Sequence, residues 1–237
     1  MKKELPANVS PRGVTAVDST CRFGDGLEDE SVISFLQMNV RAGELLFEDD
    51  FPTGDLEDRW EVSGGEWQAR DGVLTGRFRG NGGGLIYSRA AFPGDIMLDF
   101  TGRMLSPCDN DLNFTFRADG WDYANNDAHI GYVGGLNGWW TKCAGLERYP
   151  GCDLRALCGF KAEPDRDYHI QTGIVDNLCF LAVDGEPILV LSDPDPIVAP
   201  DCARVGLGTY CSQIEFRRFR VYRAVKETVE RSYTARF

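Results

Sequence analysis

Between residues 121 and 155 the chain gathers side chains that could bind and process a polar, ring-shaped ligand. Trp121, Tyr123, Tyr132, Trp139 and Trp140 offer flat aromatic faces, while Asn137, Lys142, Glu147, Arg148 and Tyr149 offer hydrogen-bonding and ionisable groups. A sugar has the matching duality: apolar C–H faces that rest on aromatic rings, and hydroxyls that need donors and acceptors. Glycines laced through the segment allow sharp turns and close approach to a ligand. Long irregular loops in compact domains tend to be functional, so the stretch is read as a loop carrying the site. Adjacent residues of a strand face opposite ways, so at least one of Trp139 and Trp140 is expected in the core.

His129 is the sole histidine in this segment, and its near-neutral pKa suits it to moving a proton. A lone histidine is more often structural. Lys142, Glu147 and Tyr149 are the rival acid–base candidates, and His169, in a strand outside the segment, is read as structural. Paired carboxylates spaced E-x-D-x-x-E along one strand face, which would suit glycoside hydrolysis, do not occur. Glu147 and Asp153 could approach one another, but nothing in their spacing demands it.

A second surface comes from alternation. In the run from Asp111 to Arg117, Leu112, Phe114 and Phe116 share one face, and Asp111, Asn113, Thr115 and Arg117 share the other. Asn113 and Arg117 could hydrogen-bond sugar hydroxyls or a carboxylate, arginine through its rigid donor fork. An ordinary solvated sheet face is the competing reading. Asp49, Asp50, Asp55, Glu57 and Asp58 make an oxygen-rich cluster, a candidate for calcium or another divalent cation. The spacing is not that of an EF-hand loop, and a solvated acidic turn is the plainer reading. No cofactor is demanded.

The elements that must position these residues are strands. Ile96, Leu98 and Phe100 share a face, as do Tyr168, Ile170 and Thr172, with His169 and Gln171 opposite. Gly64-Gly65, Asp71-Gly72, residues 80–84 and Asp184-Gly185 supply turn signals at close intervals, the mark of a sandwich or barrel. The runs Phe47-Glu48-Asp49-Asp50-Phe51 and Phe216-Arg217-Arg218-Phe219-Arg220-Val221 are expected to meet as first and last strands. The expected fold is all-β: a two-sheet antiparallel jelly-roll sandwich over residues 46–223. A short N-terminal extension, residues 1–45, packs on it with an acidic patch at residues 25–30 and one strand over residues 31–40. The tail, residues 224–237, shows weak helical periodicity from Val225 to Tyr233.

With 237 residues and 43% hydrophobic content, the chain can bury a full core without staples. Its eight cysteines contain no C-x-x-C spacing, which favours reduced thiols over disulfides. A formal net charge of −12 argues against nucleic acid or an anionic membrane as a partner and is compatible with a neutral saccharide or glycoside. No stretch approaches the roughly 20 apolar residues of a membrane span. Met1-Lys2-Lys3-Glu4 is followed by no apolar run, so the chain reads as cytoplasmic.

The run from Phe47 to Tyr222 resembles the concanavalin A-like lectin/glucanase (laminin-G-like) jelly roll. It is most similar to the bacterial 3-keto-disaccharide hydrolase family and to YesU-type proteins. The matching pieces are Phe47-x-Asp49-Asp50-Phe51 with Trp60, Gly65-Glu66-Trp67, Asp71-Gly72-Val73-Leu74, the strand from Asn113 to Arg117 and Val183-Asp184-Gly185. At the end come Val205-Gly206-Leu207-Gly208 and Glu215-Phe216-Arg217. His129-x-Gly131 through Asn137, and Gly145-Leu146-Glu147-Arg148, resemble the insert of YesU-type proteins. The likeness covers roughly three quarters of the chain, and its terminal motifs are strand and turn positions that specify fold better than function.

The resemblance implies a ligand on the concave sheet face and a glycoside hydrolase or lyase acting on an oxidised or acidic glycoside. For a 3-keto sugar the ketone acidifies the neighbouring C–H. A base such as His129 or Tyr149, with Lys142, Arg148 or a metal polarising the carbonyl, could then expel the glycosidic oxygen. The alternatives are a non-catalytic carbohydrate-binding module and a protein-binding laminin-G-like domain. An enzyme predicts His129 in the cleft beside a carboxylate, Lys or Tyr. A protein-binding domain predicts an apolar patch and no polar-lined cleft.

Overall fold

The computed structural model describes residues 32–35, 38–79, 83–122, 124–125, 127–139 and 142–227. A nine-stranded sheet runs in the order β1 (Val32–Ser34), β2 (Asn39–Asp49), β18 (Gln213–Glu227), β7 (Ile96–Met104), β14 (Tyr168–Val175), β15 (Leu178–Val183) and β16 (Glu186–Ser192). To it β18 adds β5 (Val73–Arg77), which pairs in turn with β4 (Glu66–Arg70). A seven-stranded sheet runs β13 (Arg155–Cys158), β12 (Cys143–Tyr149), β11 (Gly131–Gly138), β8 (Leu112–Ala118), β17 (Arg204–Tyr210), β6 (Gly83–Ser88) and β3 (Trp60–Val62). A small hairpin, β9 (Trp121–Asp122) with β10 (Asp127–Ala128), stands apart from both sheets. Every pairing is antiparallel. The architecture is an all-β jelly-roll sandwich.

Alternation builds it. Ile96, Leu98 and Phe100 of β7, Leu112, Phe114 and Phe116 of β8, and Tyr168 and Ile170 of β14 all enter one core between the sheets. Each such side chain contributes about 1.5–3 kcal/mol by leaving water. The first and last long strands do meet, with Phe219 opposite Asp49 and Val221 opposite Phe47. Asp49 is buried there and accepts from the Phe51 amide at 2.8 Å and from Trp60 Nε1 at 2.8 Å. A buried carboxylate with both oxygens bonded fixes the corner where the chain leaves β2.

Three expectations change. Residues 121–155 are largely regular strands rather than a loop: β11 and β12 form two inner ribs of the seven-stranded sheet. Their glycines, read as turn signals, instead leave room for larger neighbours; a Cβ on Gly134 would stand 2.4 Å from the Phe114 ring. At its described start, Val225 to Glu227, the weak helical period gives way to strand, because β2 offers a partner through Val225↔Arg41 and Glu227↔Asn39. The single strand over residues 31–40 is two, β1 and the start of β2, turned by the Phe35 amide donating to Met38 O at 2.8 Å. The acidic patch at residues 25–30 and everything beyond residue 227 lie outside the described residues. No disulfide joins two of the described cysteines. Among the described residues no helix is long and apolar enough to cross a membrane.

Ile33, Phe35, Met38 and Val40 close over Met97, Phe180, Ala182 and Ala224, forming a second apolar cluster on the outer face of the nine-stranded sheet. Among the described residues the outer face of the seven-stranded sheet has no such cover across its centre, and a cleft opens there.

Candidate functional site

The cleft holds about 710 Å³ and crosses β6, β8, β11, β12 and β17, with the β9–β10 hairpin and the β11–β12 turn as walls. Its floor follows from the pleat: Asn113, Val133 and Glu147 sit on successive outward positions of neighbouring strands, Val133 paired with Glu147 across one ladder and with Thr115 across the other. Gly135 keeps this floor low. A Cβ there would stand 2.3 Å from Asn113 Oδ1. Gly145 does the same beneath Trp139, whose ring atoms would lie 2.8 and 2.9 Å from an added Cβ.

Seven of the residues expected from the sequence line this cleft: Asn113, Trp121, Asn137, Trp139, Lys142, Glu147 and Tyr149. Their freedom differs greatly. The Asn137 amide is fully engaged, donating to Asp109 O at 2.8 Å and Ala162 O at 2.7 Å and accepting from the Ala162 amide at 2.7 Å. It clamps the rim. Lys142 pairs with Asp109. Trp121 packs its ring toward a small apolar cluster of Leu85, Tyr87, Ala118 and Ala128 that seats the hairpin. Trp139 is half-buried over Gly145 with one side facing the cleft.

Three expected residues stand elsewhere. His129 Nδ1 lies 2.6 Å from Asp119 Oδ2, and the imidazole is 53% exposed, away from the cleft lining. Asp119 also accepts from the Ile130 amide at 2.8 Å, so the pair ties down the base of the hairpin. Arg117 turns away because the ladder shifts register opposite it and its own φ is +46°. Its buried guanidinium donates to Ile197 O at 2.7 Å and pairs with Asp95 at 3.3 Å. Arg148 points inward to Asp193, which is fully buried and also accepts from Tyr132 Oη at 2.6 Å. Trp140 lies outside the described residues.

Two carboxylates not singled out from the sequence complete the lining, Asp111 and Asp127. Asp111 belongs to the alternation that selects Asn113, two residues on. It has left-handed backbone, φ +53°, and its Oδ1 would meet a Cβ on Gly138 at 2.6 Å. Burial, helped by the charge of Glu147 and opposed by a hydrogen bond from Asn110, pushes its carboxyl up to about 7. Burial and the Glu147 and Asp122 charges likewise raise Asp127, against hydrogen bonds from the Ala128 amide and Tyr149. No sequence signal marks Asp127, since only the hairpin's fold brings it over the sheet.

Glu147 is 5% exposed. Its Oε1 accepts from Tyr149 Oη at 3.2 Å, and its Oε2 lies 2.8 Å from Arg155 Nε without the alignment of a hydrogen bond. Burial first, then the charges of Glu147 and Asp127, hold the Tyr149 phenol protonated well above its ordinary range. Tyr149 is therefore a donor here, unsuited to the role of base. Asp111, Asn137, Trp139 and Lys142 all have φ between +52° and +58°. Non-glycine residues in that region cost on the order of 1–3 kcal/mol each and gather where geometry is held for function.

The acidic cluster near the first long strand disperses. Asp49 serves Trp60 and Phe51, Asp50 pairs with Arg220 at 2.8 Å, and Asp55 accepts from the Glu57 amide at 2.9 Å. Among the described residues no group of three or more His, Cys, Asp or Glu could hold a metal ion.

Searched against known proteins, the chain matches no family model and no curated protein. Solved structures do match its fold. A Bacillus subtilis protein of unknown function with a galectin-like fold gives a TM-score of 0.61 at 15% identity, covering 78% of this chain and 99% of its own. The carbohydrate binding module CBM66 from Bacillus subtilis gives 0.54 at 15% identity, covering 69% and 94%. The transglycosylase Crh5 gives 0.54 at 11% identity, covering 76% and 85%. At these identities the likeness is one of fold: a lectin-like sandwich that hosts binding and catalysis alike.

Proposed function

We propose that this chain is a carbohydrate-active protein that takes a neutral or oxidised saccharide into the cleft and breaks its glycosidic bond, as a glycoside hydrolase or lyase. The observation that carries this reading is the meeting, in one cleft, of the Trp139 ring with Asp111, Glu147 and Tyr149. A ring face for the sugar and buried acids for its linkage are the two things such chemistry needs. The likeness to 3-keto-disaccharide hydrolases and YesU-type proteins supports the same class, as does the carbohydrate binding module among the neighbours in fold. An acidic glycoside suits the cleft less well. Asp111, Asp127 and Glu147 would face its carboxylate, while Lys142 is already paired with Asp109.

A non-catalytic saccharide-binding protein is the second reading, favoured by His129, which stands outside the cleft. A protein-binding role is disfavoured by the polar lining. The test is a thermal-shift series with plain, uronic and 3-keto disaccharides, followed by chromatography of any ligand that binds. A rise in Tm with plain or keto sugars, and cleavage of one of them, is expected. No rise with any saccharide would sink both readings.

A further inference from the structure

We propose that Asp111 and Glu147 are the acid and the base of a hydrolytic reaction on a neutral glycoside bound in this cleft. The proposal rests on the saccharide reading above and adds the reaction and its residues. Both carboxyl groups line the same cleft, Asp111 immediately before β8 and Glu147 in β12, two ribs away across β11. Glu147 is more than nine-tenths buried, with Oε1 accepting from Tyr149 Oη at 3.2 Å and Oε2 in an ion pair with Arg155 Nε at 2.8 Å.

The two acids have unlike surroundings, and that divides their roles. Asp111 lies where burial and a nearby negative charge favour its protonated form, up to about 7. Glu147 is held by a phenol donor and a guanidinium, partners of a carboxylate. Asp127 is the third acid of the cleft, but it is on the separate hairpin, only partly enclosed, and its Oδ1 is occupied by the Ala128 amide at 2.8 Å.

In the step itself, the Asp111 carboxylic proton passes to the glycosidic oxygen as the bond from the anomeric carbon to that oxygen breaks. The oxygen keeps the bonding electron pair. A water oxygen bonds to the anomeric carbon from the other side, and Glu147 takes the proton that this water loses. Glu147 then releases a proton to solvent and Asp111 regains one, so the net change is one water consumed per linkage. Trp139 carries the ring of the sugar, and Tyr149 orients Glu147.

The groups that share the cleft with Asp111 and set its pH behaviour are Glu147, Asp127 and Tyr149 on one side and Lys142 with its partner Asp109 on another. Tyr210 and Cys211 close the end.

The experiment uses the full chain and two substrates, an unactivated neutral disaccharide found by thermal shift and the dinitrophenyl glycoside of the same sugar. Asp111→Asn should lose about 10²- to 10⁴-fold in turnover of the disaccharide. It should lose far less on the dinitrophenyl glycoside, whose leaving group needs no proton. Glu147→Gln should lose turnover of both, while each variant still shows the ligand-induced rise in Tm. The wild-type rate should fall as pH rises through about 7, and that limb should vanish in Asp111→Asn. If Asp111→Asn does not fold, Asp111→Ser and the wild-type pH profile decide the matter.

Wild-type rates in Asp111→Asn, an unsaturated sugar as product, or binding without turnover would overturn the pair and leave a saccharide-binding cleft standing. Absence of saccharide binding by the wild-type chain would instead remove the reading on which the pair rests.

Discussion

The two outer faces of this sandwich are built from the same kind of antiparallel strand, yet they end in opposite states. On the nine-stranded sheet the chain covers its own surface: Phe35 meets Phe180 edge-on with centroids 5.8 Å apart, and Ile33, Met38 and Val40 fill in around them. The polar residues beside that cluster satisfy one another, as where Asp99 accepts from Gln171 at 3.0 Å and meets His169 at 2.9 Å. On the seven-stranded sheet the centre is left open. Glycines lower its floor, Glu147 lies buried against Arg155 and Tyr149, and four rim residues hold left-handed backbone. One face is finished as structure. The other keeps a glycine-floored, acid-lined cleft open.

The largest effect that tests this contrast belongs to the covered face. Phe180→Ala removes a fully buried ring and should cost about 3–5 kcal/mol, read as a lowered urea midpoint at unchanged slope. Well below its melting temperature the variant should still bind saccharide as the wild type does. A weakened ligand response in folded Phe180→Ala would show that the faces are not independent.

The open face predicts the reverse sign. A carboxyl whose folded pKa lies above its unfolded value binds more protons when folded, so folding loses stability as pH rises from about 4 through about 7. Asp111→Asn removes that penalty. It should be more stable than the wild type at pH 8, by on the order of 2 kcal/mol, and no more stable at pH 3.5. A variant that is destabilised at pH 8 would mean that Asp111 is a structural acid, like Asp49.

How far the sequence revealed this contrast depends on whether the decisive cause was local. Alternation from Asp111 to Arg117 correctly sorts Leu112, Phe114 and Phe116 inward and places Asn113 and Asp111 on the cleft side. The same alternation misplaces Arg117, because a register shift against β17 turns the strand there and no residue type announces it. The glycines of residues 131–145 look like loop signals. Only the pairing of β11 with β8 and β12 shows that they make room beside Phe114, Asn113 and Trp139. Glu147 was legible by type, but its neighbours Asp127 and Arg155 come from strands whose positions depend on long-range register. The fold follows from period and turn chemistry, which are local; the grouping of acids follows from topology, which is not.

Trp139 tests whether the open face binds as its shape implies. Trp139→Ala leaves Gly145 uncovered and removes the ring wall of the cleft, while sparing the core between the sheets. Saccharide affinity should fall about tenfold, near the upper end of what a single aromatic contact contributes. Unaltered affinity by calorimetry would move the sugar toward Trp121 and the hairpin.

The smallest effect returns to the covered face, where a titratable group is present but is structural. The hydrogen bond to Asp99 raises the pKa of His169, against partial burial and the charge of Arg218, with Asp184 adding a smaller upward push. Because the folded value lies above the unfolded one, near 6.5, the stabilisation is complete below that value and is lost as pH rises through the folded pKa. The imidazole is 39% exposed, so solvent screens the pair and the loss should stay below about 1 kcal/mol. Thermal melts at pH 6 and pH 9 should show a slightly larger drop for the wild type than for Asp99→Asn. That small drop should be indifferent to saccharide, whereas the pH response of Asp111 should change when the cleft is filled. If ligand altered both responses alike, titration would no longer distinguish a face that binds from a face that only packs.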